Sequence, residues 1–240
     1  MKAMNTADDF LSGLVKGSTH IISSPKTIED LQKKGVKFDE KPKKTEGQFL
    51  DELFAERRNA STTLIKKFPR APQIAIPTIG FLYDEIRECI LFGQFGAAIS
   101  LSAVLIEFSL KHAIVRKTRG NAYDKEEWDR IENMELGPTI IEAKGLSIIN
   151  DRQEEALKSF KNKVRNPYLH YNIKKIVKKV AANKIKKINV NTQKVEELDI
   201  PAEENPVLWG FAKKFVDRET VFDVFTFADR MVKELLEVKI

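Results

Sequence analysis

Residues 79–115 read IGFLYDEIRECILFGQFGAAISLSAVLIEFSLKHAIV, and this stretch decides the fold. Its first part places Leu82, Ile86, Cys89 and Ile90 on one side of a helix, with Asp84, Glu85, Arg87 and Glu88 filling the other faces. Gly93 then stands where a helix closes through a left-handed residue, a conformation glycine adopts at little cost. From Phe95 to Val115 the residues are apolar on nearly all sides until Glu107 and Lys111, the pattern of a helix at the centre of a bundle. The window Cys89 to Ile106 holds eighteen residues without a charge and approaches the length of a membrane span. Gly93-Gln94-Phe95-Gly96, Ser100, Ser102 and the many alanines favour two buried helices meeting at a glycine break.

Around that pair the chain reads as mostly α. Glu46 to Phe68 is expected to be a helix, stopped by Pro69, Pro72 and Pro77, whose fixed φ and missing N–H forbid continuation. The proline-punctuated stretch sets the expected boundary: residues 1–75 as a partly helical N-terminal extension, and residues 76–240 as a helical bundle. Short amphipathic pieces are read within the extension at Ala7 to Val15 and Thr27 to Lys33. Lys125 to Asn133 and Thr139 to Ala143 read as shorter helices split by Gly137-Pro138. Asp151 to Val164 is a helix with an acidic start and a basic end. Pro167 to Lys184 reads as another, and Glu219 to Val238 closes the chain with Val221, Val224, Phe225, Ala228, Met231, Val232 and Leu235 on one face. Alternation at Ile188, Val190 and Thr192 predicts a short β-hairpin or arm over 188–198, followed by a loop from Pro201 to Pro206.

Composition narrows the chemistry. The 240 residues carry 41 Lys+Arg against 35 Asp+Glu, a formal charge of +6, with 42% hydrophobic residues, as in a soluble globular domain. One cysteine, Cys89, excludes an internal disulfide framework and a cysteine-rich zinc site, and points to a cytoplasmic protein. The first twenty residues lack a continuous apolar region and carry Asp8-Asp9, unlike a secretory signal. No nucleotide-binding glycine loop, nucleophile elbow or paired-histidine metal motif occurs, and the three histidines, at 20, 112 and 170, lie far apart. No cofactor and no metal are expected. His112 is read as a bundle histidine.

The charge is unevenly placed. Lys161 to Lys187 holds nine lysines and Arg165 with no acidic residue, a local charge of +10, so the remainder is mildly acidic at 31 basic against 35 acidic residues. Such a cluster reads either as a solvated face or as a footprint for phosphate. Inside it lies Val164-Arg165-Asn166-Pro167-Tyr168-Leu169-His170. A residue before proline is pushed from the α region, asparagine is a favoured N-cap and proline a favoured first residue, so a helix start is expected at Asn166-Pro167. His170 then falls in the first turn, near free N–H groups and the positive dipole end. Lys174 would lie one turn on, and both cations and dipole would favour a neutral imidazole. Such a histidine beside a bound phosphodiester is placed to deprotonate a ribose 2′-OH, with Arg165 stabilising the phosphorane charge. Lys161, Lys163, Lys174, Lys175 and Lys178 are the candidate phosphate contacts. Tyr171 is a supporting aromatic candidate. Against this stands a structural reading: an Asn-Pro cap, an arginine closing the preceding helix and a histidine packed on Tyr168 or Tyr171.

Arg165-Asn166-Pro167-Tyr168-Leu169-His170 resembles the R-N-x-x-x-H form of the R-x4–6-H motif of the HEPN superfamily, the nucleotide-binding helical domains of higher eukaryotes and prokaryotes. Ile86 to Ala98 is similar to that superfamily's first helix, glycine turn and small-residue second helix, and Glu107 stands where many members carry an acidic residue. The resemblance spans residues 79–187, with the terminal helix as a further candidate. It implies a four-to-five-helix bundle, often a homodimer with a composite cleft, and a metal-independent endoribonuclease leaving a 2′,3′-cyclic phosphate. On the motif match, Arg165 and His170 would be catalytic, Asn166 would orient the pair or the phosphate, and Glu107 would support them. Other members bind nucleotides or proteins without cutting, so a non-catalytic nucleotide- or RNA-binding module, or a protein-interaction half of a toxin–antitoxin or defence complex, remains the alternative.

Overall fold

The computed structural model describes residues 33, 45–70, 72–120, 123–188 and 195–236, with the backbone alone for residues 184–188 and 195–196. The amphipathic pieces expected at 7–15 and 27–32, and the hairpin turn at 189–194, lie outside these residues. The chain divides into two compact units, Met1–Glu56 with Ala182–Ile200, and Arg57–Ala181 with Pro201–Ile240.

In order, the helices are α1 (Glu46–Leu64), α2 (Pro77–Leu91), α3 (Phe95–Arg119), α4 (Lys125–Glu132), α5 (Leu136–Gly145), α6 (Asp151–Phe160), α7 (Asn166–Leu169), α8 (Ile173–Val177) and α9 (Pro206–Leu236). Strands β1 (Ala181–Ile188) and β2 (Val195–Pro201) pair in a two-stranded sheet. The fold is mostly α, as the periodicity predicts.

The larger unit is built on α3, which packs along α9 and α2 and also meets α4 and α5. Ile79, Ile86 and Ile90 of α2 and Ile99, Leu105, Ile106 and Leu110 of α3 are fully buried. Each side chain of this size contributes roughly 1.5–3 kcal/mol on leaving water. At the break between them, Gly93 has φ +72; its N–H bonds Ile90 O, and the Gln94 N–H bonds Cys89 O. These two bonds form the expected left-handed closure. The helix long and apolar enough to cross a membrane is α3, and 67% of its apolar window is buried inside the fold.

Three boundaries differ from expectation. Gly137-Pro138 does not separate helices but sits in the first turn of α5, where a proline forfeits no intrahelical bond. The closing helix begins at Pro206, not Glu219: Asn205 is extended (φ −125, ψ 106), and its Oδ1 accepts from the Val207 N–H at 3.0 Å. The added turns bury Ala212 against Ile176, Val177 and Ala202, with Leu208 and Trp209 packed around them. The strand pair begins at Ala181 rather than Ile188, because pairing with β2 overrides the helical preference of its alanines and lysines.

Candidate functional site

The motif lies at the end of one continuous helical run. Asn150 starts it with a capping box, its side chain accepting from the Gln153 N–H while Gln153 reaches back. After α6 the ladder widens into a π turn, Lys161–Arg165, and the Asn166 N–H bonds Lys161 O five residues back. Asn166 is helical (φ −65, ψ −44), so the expected helix start at Asn166-Pro167 is corrected. A proline inside a regular helix would clash with the carbonyl four residues earlier; the π turn accompanies the one tolerated here. The Asn166 and His170 N–H groups are bonded within the helical run, and His170 stands at the C-terminal end of α7 instead of in a first turn.

What the π turn presents is Arg165. Its Nη2 donates to Glu107 Oε2 at 3.1 Å and its Nη1 to Asn166 Oδ1 at 3.1 Å, while Nε is buried without a partner among the described residues. The other oxygen of Glu107, Oε1, pairs with Lys111 Nζ at 3.2 Å, and that ammonium donates to Glu132 O at 2.9 Å. The side chains of Arg165, Glu107 and Lys111 are 18%, 17% and 11% exposed. Three residues singled out from the sequence, Arg165, Asn166 and Glu107, are thus brought together across α3 and the π turn. Lys111 is the member that sequence reasoning missed; its signal was a lysine i+4 from a glutamate on an otherwise apolar helix.

The motif ends in a tight closure. The Tyr171 N–H bonds Tyr168 O, the Asn172 N–H bonds Pro167 O at 2.7 Å, and Tyr171 takes φ +47, a conformation costly for an aromatic residue. The single helix expected over Pro167 to Lys184 is accordingly broken: this closure stops α7, and the Asn172 side chain caps α8 by accepting from the Lys175 N–H. His170 and Tyr171 are exposed, and His170 follows Arg165 by about 7.5 Å of helical rise.

Lys213 and Asp217 of α9 hold this corner. The Tyr168 hydroxyl donates to Asp217 Oδ1 at 2.7 Å, Lys213 donates to Asp217 Oδ2 at 2.5 Å, and the ammonium lies 5.1 Å and 5.7 Å from the ring centroids of Tyr168 and Tyr171. Burial, and then the Asp217 carboxylate, push the Tyr168 phenol above its usual range. Gly96 makes room: a Cβ there would lie 2.7 Å from Asp217 Oδ2 and 2.8 Å from Lys213 Nζ. No pattern in the sequence linked α9 to the motif.

The expected phosphate contacts differ in exposure. Lys163, Lys174, Lys175 and Lys178 are exposed, whereas Lys161 is half-buried, its Nζ 3.0 Å from where a Cβ on Gly137 would stand. With the helix broken at Tyr171, Lys174 no longer shares a helical face with His170, so that expectation is corrected. Ile176 and Val177 are buried beneath α8, as the periodicity requires.

A separate cleft of about 390 Å³ opens between α3 and α4 on the side of Glu107 and Lys111. Trp128 forms part of its wall, packed against Phe108 and His112. Burial, helped by Arg116, lowers the His112 pKa from 6.5, and its Nδ1 has no partner among the described residues. Among those residues no three His, Cys, Asp or Glu side chains gather as a metal ion would need.

No family model, curated protein or solved structure matches this chain.

Proposed function

We propose that the chain is a HEPN-like endoribonuclease that cuts RNA without a metal ion. The observation that carries the reading is the joining of Arg165, Asn166 and Glu107 by hydrogen bonds, with exposed His170 at the C-terminal end of α7, which Asn166 opens. His170 takes the 2′-OH proton, the 2′-oxygen attacks the adjacent phosphorus, and the P–O5′ bond breaks as the 5′-oxygen takes a proton from water, giving a 2′,3′-cyclic phosphate and a 5′-hydroxyl. Arg165 stabilises charge on the phosphorane oxygens. Without a helix N-terminus, phosphate binding falls to Arg165 and the exposed lysines 163, 174, 175 and 178. The reading includes a cytoplasmic homodimer that sets two motifs in one cleft. Purified protein should cut RNA in EDTA, and His170→Ala should abolish cutting; undiminished cutting by that variant refutes the assignment.

A second reading is favoured by the state of Arg165, already paired with Glu107 and largely buried. In it the same face binds RNA or nucleotide, or a partner protein of a toxin–antitoxin or defence complex, without catalysis. It requires salt-sensitive RNA binding lost on charge reversal at Lys174, Lys175 and Lys178, or co-purification of a partner, and no cleavage under any condition.

A further inference from the structure

We propose that the cleft between α3 and α4 binds a guanidinium group. Its volume of about 390 Å³ suits a small ligand or one long side chain. Its charge selects a cation. Glu107, Asp129 and Glu132 line it against one ammonium, Lys111, and that ammonium is already engaged by Glu107 Oε1 and Glu132 O. Glu107 is paired with Arg165 and Lys111, and Asp129 with Lys125, so the uncommitted charge lining the cleft is the Glu132 carboxylate, which would repel a phosphate-bearing ligand.

The rings select a planar cation. Phe108 and Trp128 stack with centroids 5.8 Å apart at 23°, and Tyr123, also lining the cleft, is 76% exposed. Aromatic faces attract cations, and indole most strongly. A guanidinium is flat and weakly hydrated, so it stacks on such a ring while its N–H fork meets a carboxylate; an ammonium is more strongly hydrated and has neither a flat face nor a planar fork. Glu132 supplies that acceptor: it is exposed, its carboxylate has no partner among the described residues, and Asp129 beside it pairs outward with Lys125 at 2.9 Å. The cleft shares Glu107 with the Arg165 pair, but the assignment does not depend on RNA cleavage and is read by a different signal.

The chain has two tryptophans, Trp128 and Trp209, so fluorescence reports on the cleft. Wild-type protein is titrated at constant ionic strength with agmatine, with acetyl-Gly-Arg-Gly-amide, with the corresponding citrulline peptide as the neutral isostere, and with AMP. Saturable fluorescence changes are expected for the two guanidinium probes alone. Tighter binding of agmatine points to a free guanidino compound, and tighter binding of the peptide to an arginine of a polypeptide. Glu132→Gln, at an exposed position, should weaken binding about tenfold, as loss of one charge-assisted pair implies. Trp128→Phe should abolish the signal while circular dichroism shows the helices intact. Equal binding of the citrulline peptide, preference for AMP, an unaffected Glu132→Gln variant, or no saturable change in the wild type overturns the proposal.

Discussion

Glu107→Gln removes one negative charge from between two cations while keeping the side chain's shape. The carboxylate lies 3.1 Å from Arg165 and 3.2 Å from Lys111. At an effective dielectric near 20, each contact is worth about 5 kcal/mol before desolvation, which offsets most of it. Removing one partner of a fully buried pair costs about 3–5 kcal/mol, because the remaining charge is left uncompensated. Here the side chains keep 17% and 18% of their exposure, so water takes part of that burden and the expected loss is about 2–3 kcal/mol. Urea denaturation measures it as a fall in midpoint at unchanged slope, and in a chain of this size the melting temperature should drop by about 5–10 °C. Arg165→Met and the double variant complete a cycle whose coupling should be about 1–2 kcal/mol. A loss below about 0.5 kcal/mol would refute the reasoning: the pair would be of the surface kind, and Arg165 would meet a ligand without giving up a structural role.

Other perturbations follow from particular positions. Gly93→Ala places a side chain at φ +72 and a Cβ within 2.1 Å of Arg57 Nη1, and should cost about 1–2 kcal/mol, whereas Gly80→Ala, inside α2 with open space around it, should add about 0.5–1 kcal/mol. The same denaturation series checks both signs. Gly96→Ala must displace the buried Asp217 pair and should cost about 1–3 kcal/mol, with a lower melting temperature as the readout. His112 resists protonation when folded, so stability should fall as pH drops below 6.5, where the unfolded chain takes up its proton first; His112→Leu should flatten that limb of the pH–stability curve. Glu127, held low chiefly by its hydrogen bond from Arg130, gives stability that is present above pH 4.5 and lost as pH falls through its folded value; Glu127→Gln should remove that acid phase.

The two Asn-Pro pairs mark how far local reading reaches. At 205–206 the rule holds: Asn205 is extended, caps through its side chain, and Pro206 opens α9. At 166–167 the same dipeptide lies inside a helical run, because a π turn ahead of it steps the ladder to Lys161 O. Nothing in the four residues around either proline separates the cases; the packing of the surrounding helices does. Lys213 and Asp217 teach the same lesson. Their spacing on α9 is an ordinary i, i+4 pair, and only the folding of α9 against α3 and the motif gives them Tyr168, Tyr171 and Gly96 as neighbours.

By itself the sequence determined the mostly α class, the glycine break at Gly93, the central burial of α3 and the apolar face of α9, since periodicity and turn chemistry act over a few residues. It also marked Arg165, Asn166, Glu107 and His170 as residues of interest. Tertiary structure alone decided that Glu107 holds Arg165 and Lys111 together, that His170 ends a helix instead of beginning one, and that an acidic, aromatic cleft opens between α3 and α4. Each of these depends on contacts between elements distant in the chain, where burial and charge pairing outweigh local preference.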